Sequence, residues 1–561
     1  MKYTVKIIAL LISIVMLLSQ LVSCTYLYEY ITRQQNNYPV IEEDDGIYVF
    51  EVIYPQISVS SLKFELGDGD LERFESKLRS TKALYVQGEG TSEDRFRDAL
   101  YELLTLEAYI STQCDIAYVQ YWYDTSDPEA WDNYLYAYEI RDEAHDLFWG
   151  FYAQVKNKDD GLAQVFREVV ESEYGGNLVS VTTEADDYAY KMELLKGEYN
   201  TLQNENASDS IIFEVYKEYM IAAQGLANAS YTENYYEYAS KYLYYRDDTH
   251  EQREIFREYT KQYLIPLYYE LKAQSEKYDS KLTDYEFDMS NKYLQGKYDT
   301  FSKNYLVEYF SSLAASSGEA MINAFEKDRV IIGDMPASYD TAMVTTVGNT
   351  PICYFHEELT TLDTMSHELG HYYAREVGDS EYYSYSLKET HSTANTMLFF
   401  SYLSNEIGTR AFKSAEKYLV SNWIYQTVLS VIKDEFDEIV YTSDSSSLTI
   451  SDFNRIMNEL MDEYGARDMS DNIEEQLLTY WKRQGTLYPV SNYCYAIAFT
   501  ASLQIYLESK TDYDTATEIY RKIVEEVDGE GEFLATIQKA GLTTPYDEQT
   551  YIKLNSLVGL R

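Results

Sequence analysis

The five residues His367-Glu368-Leu369-Gly370-His371 carry the most legible chemistry in this chain. On a helix, residues four apart lie on one face, so both imidazoles can bind one metal ion from the same side. Glu368 is turned about 100° from His367. It can reach a water activated by that ion without taking a coordination position. Two histidines flanking a glutamate in this way are the pattern of a zinc hydrolase. Histidine is scarce, at 6 of 561 residues, which makes a chance match at this spacing rare. The bland alternative is a surface helix bearing two solvated histidines.

The flanks predict the helix that must position these side chains. The run Thr360 to Ser366 offers Thr and Asp as N-terminal caps. Leu362, Met365 and Leu369 fall at i, i+3 and i+7 and predict a buried stripe. Gly370 weakens a helix but admits close approach of a neighbouring chain or a substrate. Asp363, four residues before His367, reads equally well as a group orienting that imidazole or as a helix-start charge. Catalytic zinc usually keeps three protein ligands and one open position. Of the glutamates that follow, Glu376 is too close on the same helix to turn back, and Glu381 sits in the polar stretch Gly378–Glu381, which reads as a turn. Glu389 opens a second helical pattern running to Phe400. An antiparallel return would bring it over the first helix, so Glu389 is the expected third ligand beside His367 and His371. His391, about 200° around that helix from Glu389, is expected to be a core or hydrogen-bonded histidine.

With these residues in place, the sequence resembles the oligoendopeptidase F branch of the thimet oligopeptidase family, zinc metallopeptidases of the gluzincin type. Pro351–Phe355 followed by Thr361–His371 resembles the family's strand, loop and H-E-x-G-H helix. Leu387–Thr393 resembles the segment holding its third ligand, with a shorter interval after His371 and hence a trimmed turn. Tyr493–Ala501 resembles the family's tyrosine-rich segment, whose hydroxyls stabilise the oxyanion. Tyr493 and Tyr495 are therefore candidate catalytic residues. With 61 tyrosines in the chain, packing is the competing role for each. One departure is clear: Trp481–Tyr488 contains no histidine where the family usually has one. Tyr488, Arg483 or His356 are candidate substitutes. Ile116–Pro128 resembles a segment of the family's N-terminal helical domain.

The resemblance implies a mainly α fold, with two helical lobes around a deep substrate cleft and a small β element beside the H-E-x-x-H helix. It also implies one Zn2+ per chain, short unfolded peptides as substrates, and a monomer. The chain is then expected to be a zinc metalloendopeptidase. The alternative is a catalytically impaired peptide-binding lipoprotein on the same scaffold.

The chain opens with two lysines and the apolar run Ile7–Val22, ending Leu21-Val22-Ser23-Cys24. This pattern predicts a signal peptide over 1–24 whose Cys24 is lipidated, anchoring the protein at the outer face of a bacterial membrane; an uncleaved anchor is the alternative. A polar tether is expected over 25–60, an N-terminal helical domain over 61–190 and a catalytic domain over 191–561. The other cysteines, Cys114, Cys353 and Cys494, are few and odd in number and predict buried free thiols. A formal charge of −48 excludes nucleic acid as a partner. Only 8 prolines and 24 glycines interrupt the chain, which predicts long helices. Candidate strands are Val330–Ile332 and Pro351–Phe355.

Overall fold

The computed structural model describes residues 58–559, apart from 124–126, 157, 175–182, 205–206, 298–299, 334–341, 348–349, 378–382, 483–488 and 528–530. The expected signal peptide, Cys24 and nearly all of the expected tether lie outside the described residues. The fold is mainly α, with one three-stranded sheet among the described residues. It divides into two compact units, 58–183 with 323–357 and 184–322 with 358–559.

In the first unit, long helices form where Pro and Gly are scarce: α1 (Asp68–Gln87), α2 (Glu93–Tyr123) and α3 (Pro128–Val155). The apolar periodicity of α2 is realised as a buried stripe that includes Ala99, Leu100, Leu103, Leu104 and Ala108. Asp127 caps α3 by accepting from the Glu129 N–H at 2.9 Å, and Pro128 occupies the first turn, where its missing N–H costs nothing. The sheet comprises β1 (Val330–Gly333), β2 (Ala342–Val347) and β3 (Thr350–His356), in the order β1-β3-β2. β1 pairs parallel to β3 with Val330 opposite Cys353, and β2 pairs antiparallel with Ala342 opposite Phe355. The sequence placed this stretch inside a contiguous C-terminal domain; here 323–357 clusters with 58–183. The Val59 N–H donates to the Lys327 carbonyl at 3.1 Å, and the Trp122 ring lies 5.3 Å from that of Tyr354. These contacts join residues far apart in the chain, which local patterns do not encode.

The second unit contains α4 (Thr300–Leu313), α5 (Leu362–Glu376), α6 (Tyr385–Ile407), α7 (Arg410–Thr442) and α8 (Ser491–Ser509). Every residue from Tyr385 to Ser401 on α6 is buried, so this helix is surrounded rather than amphipathic. Several of its polar residues are paired within the protein: Thr390 Oγ1 donates to the Ser386 carbonyl at 2.7 Å, and the Thr393 and Ser502 hydroxyls pair at 2.7 Å. Tyrosine serves as a core residue with a polar tip. Buried Tyr199 donates to the Trp481 carbonyl at 2.7 Å, and buried Tyr551 to the Pro545 carbonyl at 2.6 Å. Cys114, Cys353 and Cys494 are buried free thiols. Among the described residues, no helix is long and apolar enough to cross a membrane.

Candidate metal centre

The H-E-x-x-H helix begins as the sequence indicates. Thr361 caps α5, its hydroxyl accepting from the Thr364 N–H at 3.3 Å, and Leu362, Met365 and Leu369 are buried beneath it. This orientation leaves His367 and His371 about one quarter and one fifth exposed, with ring centroids 5.1 Å apart. Glu389, on the first turns of α6, sends its carboxylate between them. Its Oε2 lies 3.6 Å from His367 Nε2 and 3.8 Å from His371 Nε2. One ligand atom from each of the three residues lies within 4.8 Å of the others. The residues of the turn, 378–382, lie outside the described set and include Glu381. Glu376 is exposed at the end of α5.

The donor set fits a zinc ion: two imidazole nitrogens and one carboxylate oxygen converging from two helices. Burial lowers the pKa of His367 to about 4, and burial followed by the neighbouring His367 lowers that of His371 well below the usual range. Both imidazoles are therefore neutral at pH 7, with lone pairs available for a metal. Burial, then the charge of Glu389, raises Glu368 well above the carboxylate range. A carboxylate so raised readily accepts a proton.

The spacing between α5 and α6 rests on Gly370. A Cβ there would lie 2.8 Å from Ser392 Cα, 2.9 Å from Asn395 Cβ and 3.0 Å from the His391 carbonyl. The two backbones therefore meet at this point, as one reading of the glycine anticipates. Asn395 locks the approach: its Nδ2 donates to the Ser366 carbonyl at 2.6 Å, and its Oδ1 accepts from Tyr309 of α4 at 2.9 Å. Neither Tyr309 nor Asn395 stood out in the sequence, where both resemble ordinary core positions.

Beside His367 lies a cavity of about 410 Å³, walled by α5, α6, α7 and α8. Tyr495 lines it, with its hydroxyl 2.9 Å from that of Tyr385. Tyr493 does not. It is fully buried, its hydroxyl donates to Tyr546 at 3.1 Å, and the Arg246 guanidinium sits 3.9 Å over its ring. Two residues apart on a helix is about 200°, so α8 can present only one of the two tyrosines to the cavity. Asp363 also faces it and accepts a hydrogen bond from the Trp423 side chain; burial nevertheless raises its pKa to about 6. The partner of Asp363 is thus Trp423, a contact neither sequence reading included. Trp423, Asn422 and Gln426 reach the cavity from α7, about 55 residues downstream of α5, with no local motif to mark them.

The remaining candidates fall elsewhere. His391 is fully buried with Nε2 3.2 Å from the Ile523 carbonyl, as a core histidine should be. His356 is buried at the end of β3 in the first unit, and Arg483 and Tyr488 lie outside the described residues. A second grouping, His250, Glu254 and Glu438, has ligand atoms within 4.8 Å of one another. There Glu438 is already paired with the guanidinium groups of Arg253 and Arg257, which disfavour a cation.

No protein-family model matches the sequence, and no curated protein matches it. Solved structures do match. A protein described as an oligoendopeptidase F from Bacillus anthracis str. Ames aligns with a TM-score of 0.63 at 15% identity, covering 90% of this chain and 97% of the other. PZ peptidase A, solved with an inhibitor, gives 0.63 at 16% identity over 89% and 99%. Oligoendopeptidase-F from Enterococcus faecium gives 0.50 at 13% identity over 88% and 96%. The chain has the fold of these peptidase structures over nearly its whole described length.

Proposed function

We propose that this chain is a zinc-dependent endopeptidase acting on short unfolded peptides. One observation carries the reading: His367, His371 and Glu389 converge on a single point, with Glu368 between the two histidines in sequence. The fold, shared with peptidases, supports peptides as the substrate class.

The two imidazoles and the Glu389 carboxylate would hold the ion. When bound, zinc supplies the Lewis acidity that makes water a nucleophile at neutral pH. Glu368 takes the proton as water attacks the peptide carbonyl and delivers it to the leaving amine. Tyr495, held by Tyr385, donates to the carbonyl oxygen as charge develops there. Asn395 and Gly370 keep the two ligand-bearing helices in register, so the donors are set before substrate arrives.

The composition of residues 1–24 supports an enzyme lipidated at Cys24 and displayed at the outer face of a bacterial membrane. The binding-only alternative has one observation in its favour, the absence of histidine from Trp481–Tyr488. Glu368→Gln separates the two readings. It should retain zinc by metal analysis and lose turnover of a quenched-peptide library by at least about 100-fold, the lower range for a general base. Near-normal turnover in this variant would overturn the mechanism. Saturable peptide binding by a wild-type chain that never cleaves would establish the alternative.

A further inference from the structure

The cavity beside His367 has a chemical character that the hydrolytic machinery does not use. Asp363 lies one helical turn before His367, about 6 Å along α5, and supplies the only carboxylate among the lining residues. Among the described residues, no lysine or arginine lines the cavity. A polar ridge of α7 also lines it, with Asn422, Gln426 and Ser430 at intervals of four. Trp423, Tyr495 and Phe499 provide aromatic surface. At about 410 Å³ the cavity is far larger than one water needs, and His367 is part of its lining.

A lone carboxylate, amide groups that can accept hydrogen bonds, and aromatic surface match a cationic side chain. The guanidinium group fits best, because its planar fork pairs with carboxylate and amide oxygens while its face stacks on aromatic rings. An aliphatic side chain would leave Asp363 desolvated without a counter-charge, and an acidic one would be repelled by it. Successive residues of an extended peptide advance about 3.3 Å. A carbonyl at the metal centre therefore places the side chain of a neighbouring residue within reach of Asp363.

We propose that this cavity is a specificity subsite for a basic residue flanking the scissile bond, arginine ahead of lysine, with Asp363 as its counter-ion. The proposal rests on the peptidase reading above and names the substrate class for that site. The charge of −48 works in the same direction by concentrating cationic peptides near the surface.

The test uses the zinc-loaded chain and peptides identical except for Arg, Lys, citrulline or Glu at each of the four positions around the cut. At one position, kcat/KM for Arg should exceed that for its neutral isostere citrulline by about tenfold or more, as expected for a charge-assisted contact. Asp363→Asn should bring that ratio close to one, and Asp363→Glu should preserve a clear preference for Arg. A ratio near one at every position in the wild type, or a preference that survives Asp363→Asn, would overturn the proposal. If no peptide is turned over, the peptidase reading fails on its own. Equilibrium binding of the Arg and citrulline peptides to wild type and Asp363→Asn then decides the subsite by the same ratio.

Discussion

At the scale of single residues, environment sets the working chemistry. The same burial that lowers His367 and His371 pushes Glu368 upward, so the proposed ligands and the proposed base shift in opposite directions within five residues. Asp247, distant in sequence from these residues, obeys the same physics with a consequence for stability. It accepts from the Leu534 N–H at 2.8 Å, yet burial raises its pKa to about 6. Its pKa in the unfolded chain is about 3.9. Between these values the native chain holds more protons than the unfolded one, so this residue's contribution falls as pH rises from about 4 to about 6. Asp247→Asn should remove that slope. The unfolding free energy of the variant from urea titration, relative to wild type, should be higher at pH 7 than at pH 4 by on the order of 1–3 kcal/mol. Parallel pH profiles for the two proteins would show that Asp247 does not titrate in this way.

At the scale of elements, the centre depends on the separation of α5 and α6. Gly370→Ala adds one methyl where two backbones already meet. Helix propensity favours alanine by about 1 kcal/mol, whereas overpacking costs about 1–3 kcal/mol. Backbone on both sides leaves little room to relax, so overpacking wins. The variant should be less stable by on the order of 1–2 kcal/mol in denaturant titration. Its zinc affinity should also fall, because Glu389 moves with α6 while the histidines stay on α5. An unchanged midpoint together with unchanged affinity would mean that the helices are not held apart by this glycine.

At the scale of the whole molecule, 94 acidic residues against 46 basic ones surround a chain with only 6 histidines. Such an exterior attracts cationic peptides over distances that salt shortens to about 10 Å at 0.1 M. For a cationic substrate, kcat/KM should fall as ionic strength is raised through that range, while a neutral analogue should show little change. Equal salt sensitivity for both would assign the acidity to solvation of the surface alone. This effect is separate from that of Asp363, which acts at short range and should persist in salt.

Much of the site could be read directly from the chain because its parts are local. A helix fixes the relation of His367, Glu368 and His371 by its own geometry, and Glu389 follows from a second helix that returns after a short turn. Long helices, buried free thiols and two of the three strands among the described residues were equally legible from scarce Pro and Gly, cysteine count and apolar runs. β2 escaped notice because Thr345 and Thr346 are buried within it; a strand buried on both faces lacks the alternation that marks one. The tertiary structure alone decided that Tyr495 faces the cavity while Tyr493 is core, since that depends on how α8 is rotated against its neighbours. It alone placed Trp423, Asn422 and Gln426 across from Asp363, and Asn395 against Ser366. The sequence by itself determined which residues come together as the candidate centre, because those relations lie within one or two helices. What surrounds those residues, and so what they would act upon, was decided by packing between helices distant in the chain, which no local pattern records.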